Sequence, residues 1–292
     1  MATFLQIITV FLTSVFSLSS PLPSPPPLSF STLSTQEINN PLDITFFAGP
    51  PSTPPTLELL AARRALKRLK TLLGPSELKT LVTPDTITGN TAWHSILSSS
   101  SDSTPRVLSS VHFTAIPPDC HANFTSANFL GWFTTSAFTH VNKLWEGHPQ
   151  HYFIAISQND DGTLAAELVE PWGPILTHSK VPRLAPVTGQ EGGGVKKPFM
   201  KERKGFVLQT VGEETLMDGS GEVVGDLHYS FRDLDGDNKG NVCGIEVVLD
   251  MWMPSATPEE VAVGIGEHLK IEYYNWVEWA YEEIRDGTYV PA

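Results

Sequence analysis

From Val261 to Trp279, apolar residues return at every third or fourth position. Val261, Ile265, Leu269, Trp276 and Trp279 form one stripe, the signature of a long amphipathic helix. Thr257, Pro258 and Glu260 supply an N-cap, a first-turn proline and a capping-box acid, and Gly287 supplies a stop. Two polar residues, His268 and Glu272, fall on the apolar stripe. They lie one turn apart and point the same way, so one ion or one substrate can engage both. Taken alone, the pair is better explained by an ordinary helical ion pair or a satisfied buried histidine.

Upstream, residues 56–73 read as a helix ended by Gly74-Pro75, and 76–82 as a short second one. A Ser-rich loop runs near Ser98 to Ser103, and 107–114 can pair as a strand. Between 123 and 144, Phe129, Trp132, Phe133, Phe138 and Val141 mark a helical or irregular apolar segment. Residues 151–157 and 163–170 flank Asn159-Asp160-Asp161-Gly162, a strong hairpin signal. The loop at 186–200 contains Gly192-Gly193-Gly194 but lacks the Lys-Ser/Thr context of a phosphate loop. Strands are expected next at 204–211, 222–232 and 242–252. Helices first, then an antiparallel meander, then one long helix predict an α+β domain whose curved sheet covers the last helix.

The start of the chain reads as an address. Phe4 to Phe16 is an uncharged apolar run, too short to span a membrane comfortably, and a Pro/Ser-rich stretch comes after it. The expected organisation is a signal peptide over 1–20, a linker over 21–55, a helical segment over 56–106 and the main domain over 107–292. Secretion would let Cys120 and Cys243 pair and make Asn123-Phe124-Thr125 a usable glycosylation acceptor. A net charge of −13 argues against nucleic acid and anionic membranes as partners. The basic cluster of Arg63, Arg64, Lys67, Arg68 and Lys70 reads as a solvated helix face. A homodimer is left open.

The hairpin adds chemistry. A turn centred on Asp160-Asp161 sets His151 directly opposite Glu170, and one centred on Asp161-Gly162 makes them diagonal neighbours. Both registers place them on one face, whereas His148 has the wrong parity. If the long helix crosses that face, His151, Glu170, His268 and Glu272 converge. Two imidazoles and two carboxylates are ligands that zinc accepts, and they neutralise a divalent charge. Asp233-Leu234-Asp235-Gly236-Asp237 resembles the start of a calcium loop. Asn238 and Gly244, however, stand where the turn glycine and the bidentate glutamate belong, so a hairpin turn is the better reading.

These residues resemble the diacetylphloroglucinol hydrolases, zinc enzymes that hydrolyse the carbon–carbon bond between an acetyl group and a phenolic ring. The resemblance rests on Lys143-Leu144-Trp145, His148-Pro149, His151, Glu170 and His268-x-x-x-Glu272, and covers mainly 125–175 and 220–285. It implies a helix-grip fold, Zn2+ held by His151, Glu170, His268 and Glu272, and a phenolic or polyketide-like small-molecule substrate. A family tyrosine that touches substrate corresponds to Asn142 here, and a second corresponds to Tyr229. In such a mechanism water attacks the carbonyl, and the ring leaves once its carbon is protonated. His148, Asn142 and Tyr229 are the candidates for positioning or proton transfer. Two other readings compete: a helix-grip carrier of an apolar ligand without metal chemistry, and a secreted interaction protein. The sequence holds no nucleophile elbow, and neither cysteine has a suitable setting for nucleophilic catalysis.

Overall fold

The computed structural model describes residues 43–46, 57–117, 124–137, 141–160, 164–186, 197, 199–200, 203–235 and 242–289. The leader and most of the linker, the Asn123 acceptor, Cys120, the triple glycine and the 236–240 turn lie outside these residues. Cys243 is disulfide-bonded.

Strand β1 (Asp43–Phe46) precedes three helices, α1 (Leu57–Leu73), α2 (Pro75–Leu81) and α3 (Thr83–Ser99). Strand β2 (Val107–Ile116) comes next, then α4 (Ser126–Trp132), a π-helical turn at Phe133–Ala137 and α5 (Val141–Gly147). The remaining strands are β3 (Phe153–Gln158), β4 (Leu164–Trp172), β5 (Ile175–Val181), β6 (Leu184–Pro186), β7 (Leu208–Leu216), β8 (Val223–Asp235) and β9 (Val242–Met253). Helix α6 (Glu259–Arg285) ends the described fold.

The sheet is antiparallel in the order β1-β2-β9-β8-β7-β5-β4-β3, with β6 attached to β7. Helix α6 packs on both β2 and β4, which lie far apart in that order. One helix can touch both only if the sheet curls around it. This is the helix-grip architecture, α+β in class. Register shifts at Glu214/Thr215 and Asp233/Asp235 add local bends.

Helix α6 buries Val261, Ile265, Leu269 and Trp276 of the expected stripe, and Val277 and Ile284 besides, while Trp279 is only partly buried. Each large apolar side chain so buried contributes about 1.5–3 kcal/mol. Glycines set how closely it approaches the sheet. A Cβ on Gly264 would stand 2.2 Å from the Gly173 Cα in the β4–β5 turn, and one on Gly266 would stand 2.9 Å from Ser109 Oγ. Ser109 Oγ donates to the Ala262 carbonyl at 2.7 Å.

Three expectations need correction, and two elements are additions. Helix α6 starts after Pro258 with no side-chain cap, so Thr257 is not its N-cap. The strand expected at 204–211 runs instead over Leu208–Leu216, because Arg203–Phe206 forms a turn. Helix α3 and strand β5 were not anticipated. In the β3–β4 hairpin, Phe153 pairs with Val169 and Gln158 with Leu164, leaving a five-residue connection. That register puts residue 170 opposite 152, on the other face from a strand-extended 151, so the parity argument fails.

Candidate metal centre

His151 reaches Glu170 by another route. It precedes β3, and its backbone N–H closes a turn onto the His148 carbonyl at 3.1 Å. The Tyr152 N–H then joins the Val169 carbonyl at 2.9 Å, so pairing starts one residue later. Freed from the pleat, the His151 ring turns to the concave side, where β4 presents Glu170.

All four residues converge there. His151 Nε2 lies 3.0 Å from His268 Nε2, 3.3 Å from Glu170 Oε2 and 3.3 Å from Glu272 Oε1. His268 Nε2 lies 3.4 Å from Glu170 Oε2. Ligand atoms of His151, His268 and Glu272 all fall within 4.8 Å of one another. Tetrahedral zinc with ligands at about 2.0–2.1 Å separates them by about 3.3 Å, close to the distances from His151 to the other three; Glu170 lies near both histidines but outside the three-residue group. All four side chains are buried.

Surrounding contacts aim the ligands. His151 Nδ1–H donates to the Leu144 carbonyl at 2.8 Å, which leaves Nε2 with its lone pair toward the cluster. Trp172 Nε1 donates to Glu170 Oε1 at 3.2 Å, holding back the oxygen that does not face the histidines. His268 Nδ1 has no partner among the described residues. Lys70, itself buried, donates to the carbonyls of Trp145 and His148 at 2.6 and 3.2 Å, clamping the segment that carries His151. Its burial lowers its pKa to about 8. Lys70 is therefore not part of a solvated basic face.

Burial and mutual charge set the protonation of the cluster. Burial opposes a charged His151, yet hydrogen bonds to Glu170 and Glu272 outweigh it, and its pKa is pushed up to about 9. Burial likewise opposes a charged Glu170, but His268 and His151 hold it well below the usual carboxylate range. Glu272 moves the other way, raised chiefly by burial. Two buried carboxylates demand positive charge between them, and a divalent cation supplies more than one proton can.

Beside the cluster lies a cavity of about 90 Å³ lined mainly by apolar and aromatic side chains. Glu170 and Glu272 reach its wall, and Phe133, Leu227, Tyr229, Tyr273 and Trp276 shape it. The π-helical turn sets Phe133 against the Trp276 ring, with centroids 5.0 Å apart. Burial, with Glu272 adding to it, keeps Tyr229 neutral. Trp276 Nε1 has no partner among the described residues.

Tyr229 therefore faces the cavity, whereas His148 and Asn142 do not line it. His148 stacks on His268, with centroids 3.8 Å apart and planes 22° apart, and its Nδ1 accepts from the Gln150 N–H at 3.0 Å. Burial holds it neutral, with His268 and His151 adding to the effect. It supports a ligand rather than meeting a substrate. Asn142 is exposed because α5 turns Leu144 and Trp145 inward, two and three residues on. Sequence reasoning missed Glu214, a buried cavity residue whose carboxylate Oε1 accepts from Ser179 Oγ at 2.5 Å. The sequence signal was weak, because Glu214 sits beside Glu213 in a strand of mostly polar residues.

No family model and no curated protein matches the chain. Among solved structures, the crystal structure of Ara h 8.0201 is 9% identical, covering 60% of this chain and 98% of its own, with a TM-score of 0.34. A Thalictrum norcoclaurine synthase point mutant in complex with a transition-state analogue is 11% identical, covering 61% and 97%, with a TM-score of 0.33. The architecture itself is established by the strand order and the buried α6.

Proposed function

We propose that this protein is a zinc-dependent hydrolase that cleaves the bond between an acyl group and a phenolic or polyketide-like ring, as in the diacetylphloroglucinol hydrolases it resembles. The observation that carries the reading is the buried cluster of His151, Glu170, His268 and Glu272, whose two carboxylates reach the wall of an aromatic-lined cavity. Zinc held there would polarise a carbonyl and make bound water a nucleophile near neutral pH.

The chain's own residues supply the rest. Phe133, Tyr273 and Trp276 offer flat surfaces to an aromatic ring and exclude bulk water. Tyr229, kept neutral at the cavity wall, offers a donor to substrate oxygens. A carrier of apolar ligands has no use for four buried ionisable groups, each costly to remove from water unless paired or metal-bound.

The test is elemental analysis of protein purified without chelator, combined with assay on diacetylphloroglucinol and related acylated polyhydroxybenzenes. About one zinc per chain and release of the carboxylic acid are expected, and His268→Ala should lose both. Metal-free wild-type protein, or zinc-loaded protein that releases no acid, sinks the hydrolase reading.

A further inference from the structure

Hydrolysis of an acyl–ring bond needs an acid for the departing ring carbon, and none of the metal ligands is free to serve. Three cavity groups carry an acidic proton: the phenols of Tyr229 and Tyr273 and the carboxyl of Glu214. Phenols are the weaker acids by far. Glu214 is 3% exposed and sits beside a β-bulge, where β8 carries the extra residue Val224 opposite the step from Glu214 to Thr215. Bulges of this kind re-aim a side chain. Its partner across β8 is Gly225, which presents no side chain against it. Ser179 on the neighbouring β5 engages Oε1, which leaves Oε2 for the cavity.

We propose that Glu214 is the catalytic acid that protonates the ring carbon as the acyl bond breaks, an inference that rests on the hydrolase reading. Water adds its oxygen to the acyl carbon. The bond from acyl carbon to ring carbon breaks, and its electron pair stays on the ring. The Glu214 carboxyl gives its proton to that carbon, and the acid product returns one to the carboxylate through solvent. One water is consumed, and a ring C–H and a carboxylic acid are formed.

The side chain suits the role. An ionised carboxylate buried in a largely apolar cavity is costly, which favours the neutral form. Burial, then the charge of Glu170, pushes its pKa up to about 8 against the opposing Ser179 hydrogen bond.

The test compares wild type, Glu214→Gln and Glu214→Asp on an acetylated trihydroxybenzene. Glu214→Gln should keep its zinc and its KM within a few-fold while kcat falls about 100-fold or more. Glu214→Asp should recover part of that loss, and the alkaline limb of the wild-type kcat profile should vanish in Glu214→Gln. A second readout needs no turnover. The infrared carbonyl band of a protonated carboxyl should be present in wild type at neutral pH and rise in frequency in Ser179→Ala. Active wild type with an equally active Glu214→Gln, or folded wild type without that band, overturns the role of Glu214 alone. Zinc-loaded wild type that cleaves nothing overturns the hydrolase reading beneath it.

Discussion

Gly264 in α6 rests its backbone directly on that of Gly173 in the β4–β5 turn, so closely that a Cβ at 264 would meet the Gly173 nitrogen at 2.4 Å. One turn further along α6 stands His268, and three residues before Gly173 stands Glu170. This contact therefore sets the distance between two ligands. Helix propensity alone says that Gly264→Ala should stabilise by about 1 kcal/mol. Sterics say the reverse, because both partners are backbone and neither can swing away. Gly264→Ala should destabilise by about 1–3 kcal/mol in urea denaturation and weaken zinc retention. A variant as stable as wild type would show that α6 is free to slide.

Metal and fold should be linked. If the four ligands hold zinc, chelation should lower the melting temperature of wild type, by an amount that grows with free zinc in the control. Zinc at about 100 times its Kd adds about 2.7 kcal/mol. In Glu170→Gln and His268→Ala the chelator should change nothing. Equal chelator effects in wild type and both variants would place the metal elsewhere.

Filling the cavity separates substrate binding from metal binding. Ala166 lines the cavity from β4, four residues before Glu170 on the same strand. Ala166→Leu should leave zinc content intact and weaken binding of an acylated phenol at least tenfold, as read by calorimetry. Unchanged affinity would place the ligand outside this cavity.

A pH effect should arise far from the centre. His94 in α3 bridges two acids of the β7–β8 connection, with Nε2 2.6 Å from Asp218 Oδ2 and Nδ1 2.6 Å from Glu222 Oε2. The hydrogen bond to Asp218, then that to Glu222, raises its pKa above the ordinary histidine value. Folding thus tightens proton binding. The resulting stability is fully present below about pH 6.5 and is lost as pH rises through the folded-state value. His94 is fully exposed to solvent, so salt should screen the effect. Wild type should lose urea resistance between about pH 6 and pH 9 more steeply than His94→Ala. Parallel profiles for the two proteins would remove this bridge from the stability balance.

Helix α6 and its two polar residues were legible because a 27-residue stripe records its periodicity many times over. Helix α3 was not. Its segment, with Thr83, Thr86, Thr88, Asn90 and Thr91, has no continuous apolar face, and Trp93 and Ile96 do most of its anchoring. Strand β5 was hidden behind Pro171 and Pro174, which mark a turn but carry no sign of a further strand beyond it.

The pairing of His151 with Glu170 was expected for a reason the structure removes. Strand parity depends on one residue in the connection, and the five-residue loop inverts it. The ring arrives by a bend before β3, which period-two logic does not describe. Glu214 stayed invisible because the strand holding it was placed several residues early, so its face was never assigned.

The clamp of Lys70 on the Trp145 and His148 carbonyls joins α1 to a site completed by residues 268 and 272. Nothing local assembles this centre: its parts are donated by early, middle and late stretches of the chain. During synthesis the half-built sheet must therefore wait, its hollow open, until α6 is made. If the centre takes a metal, it can do so only once α6 is in place, and the metal would then fasten early and late segments together. Chains cut short before α6 would present that open hollow to cellular quality control.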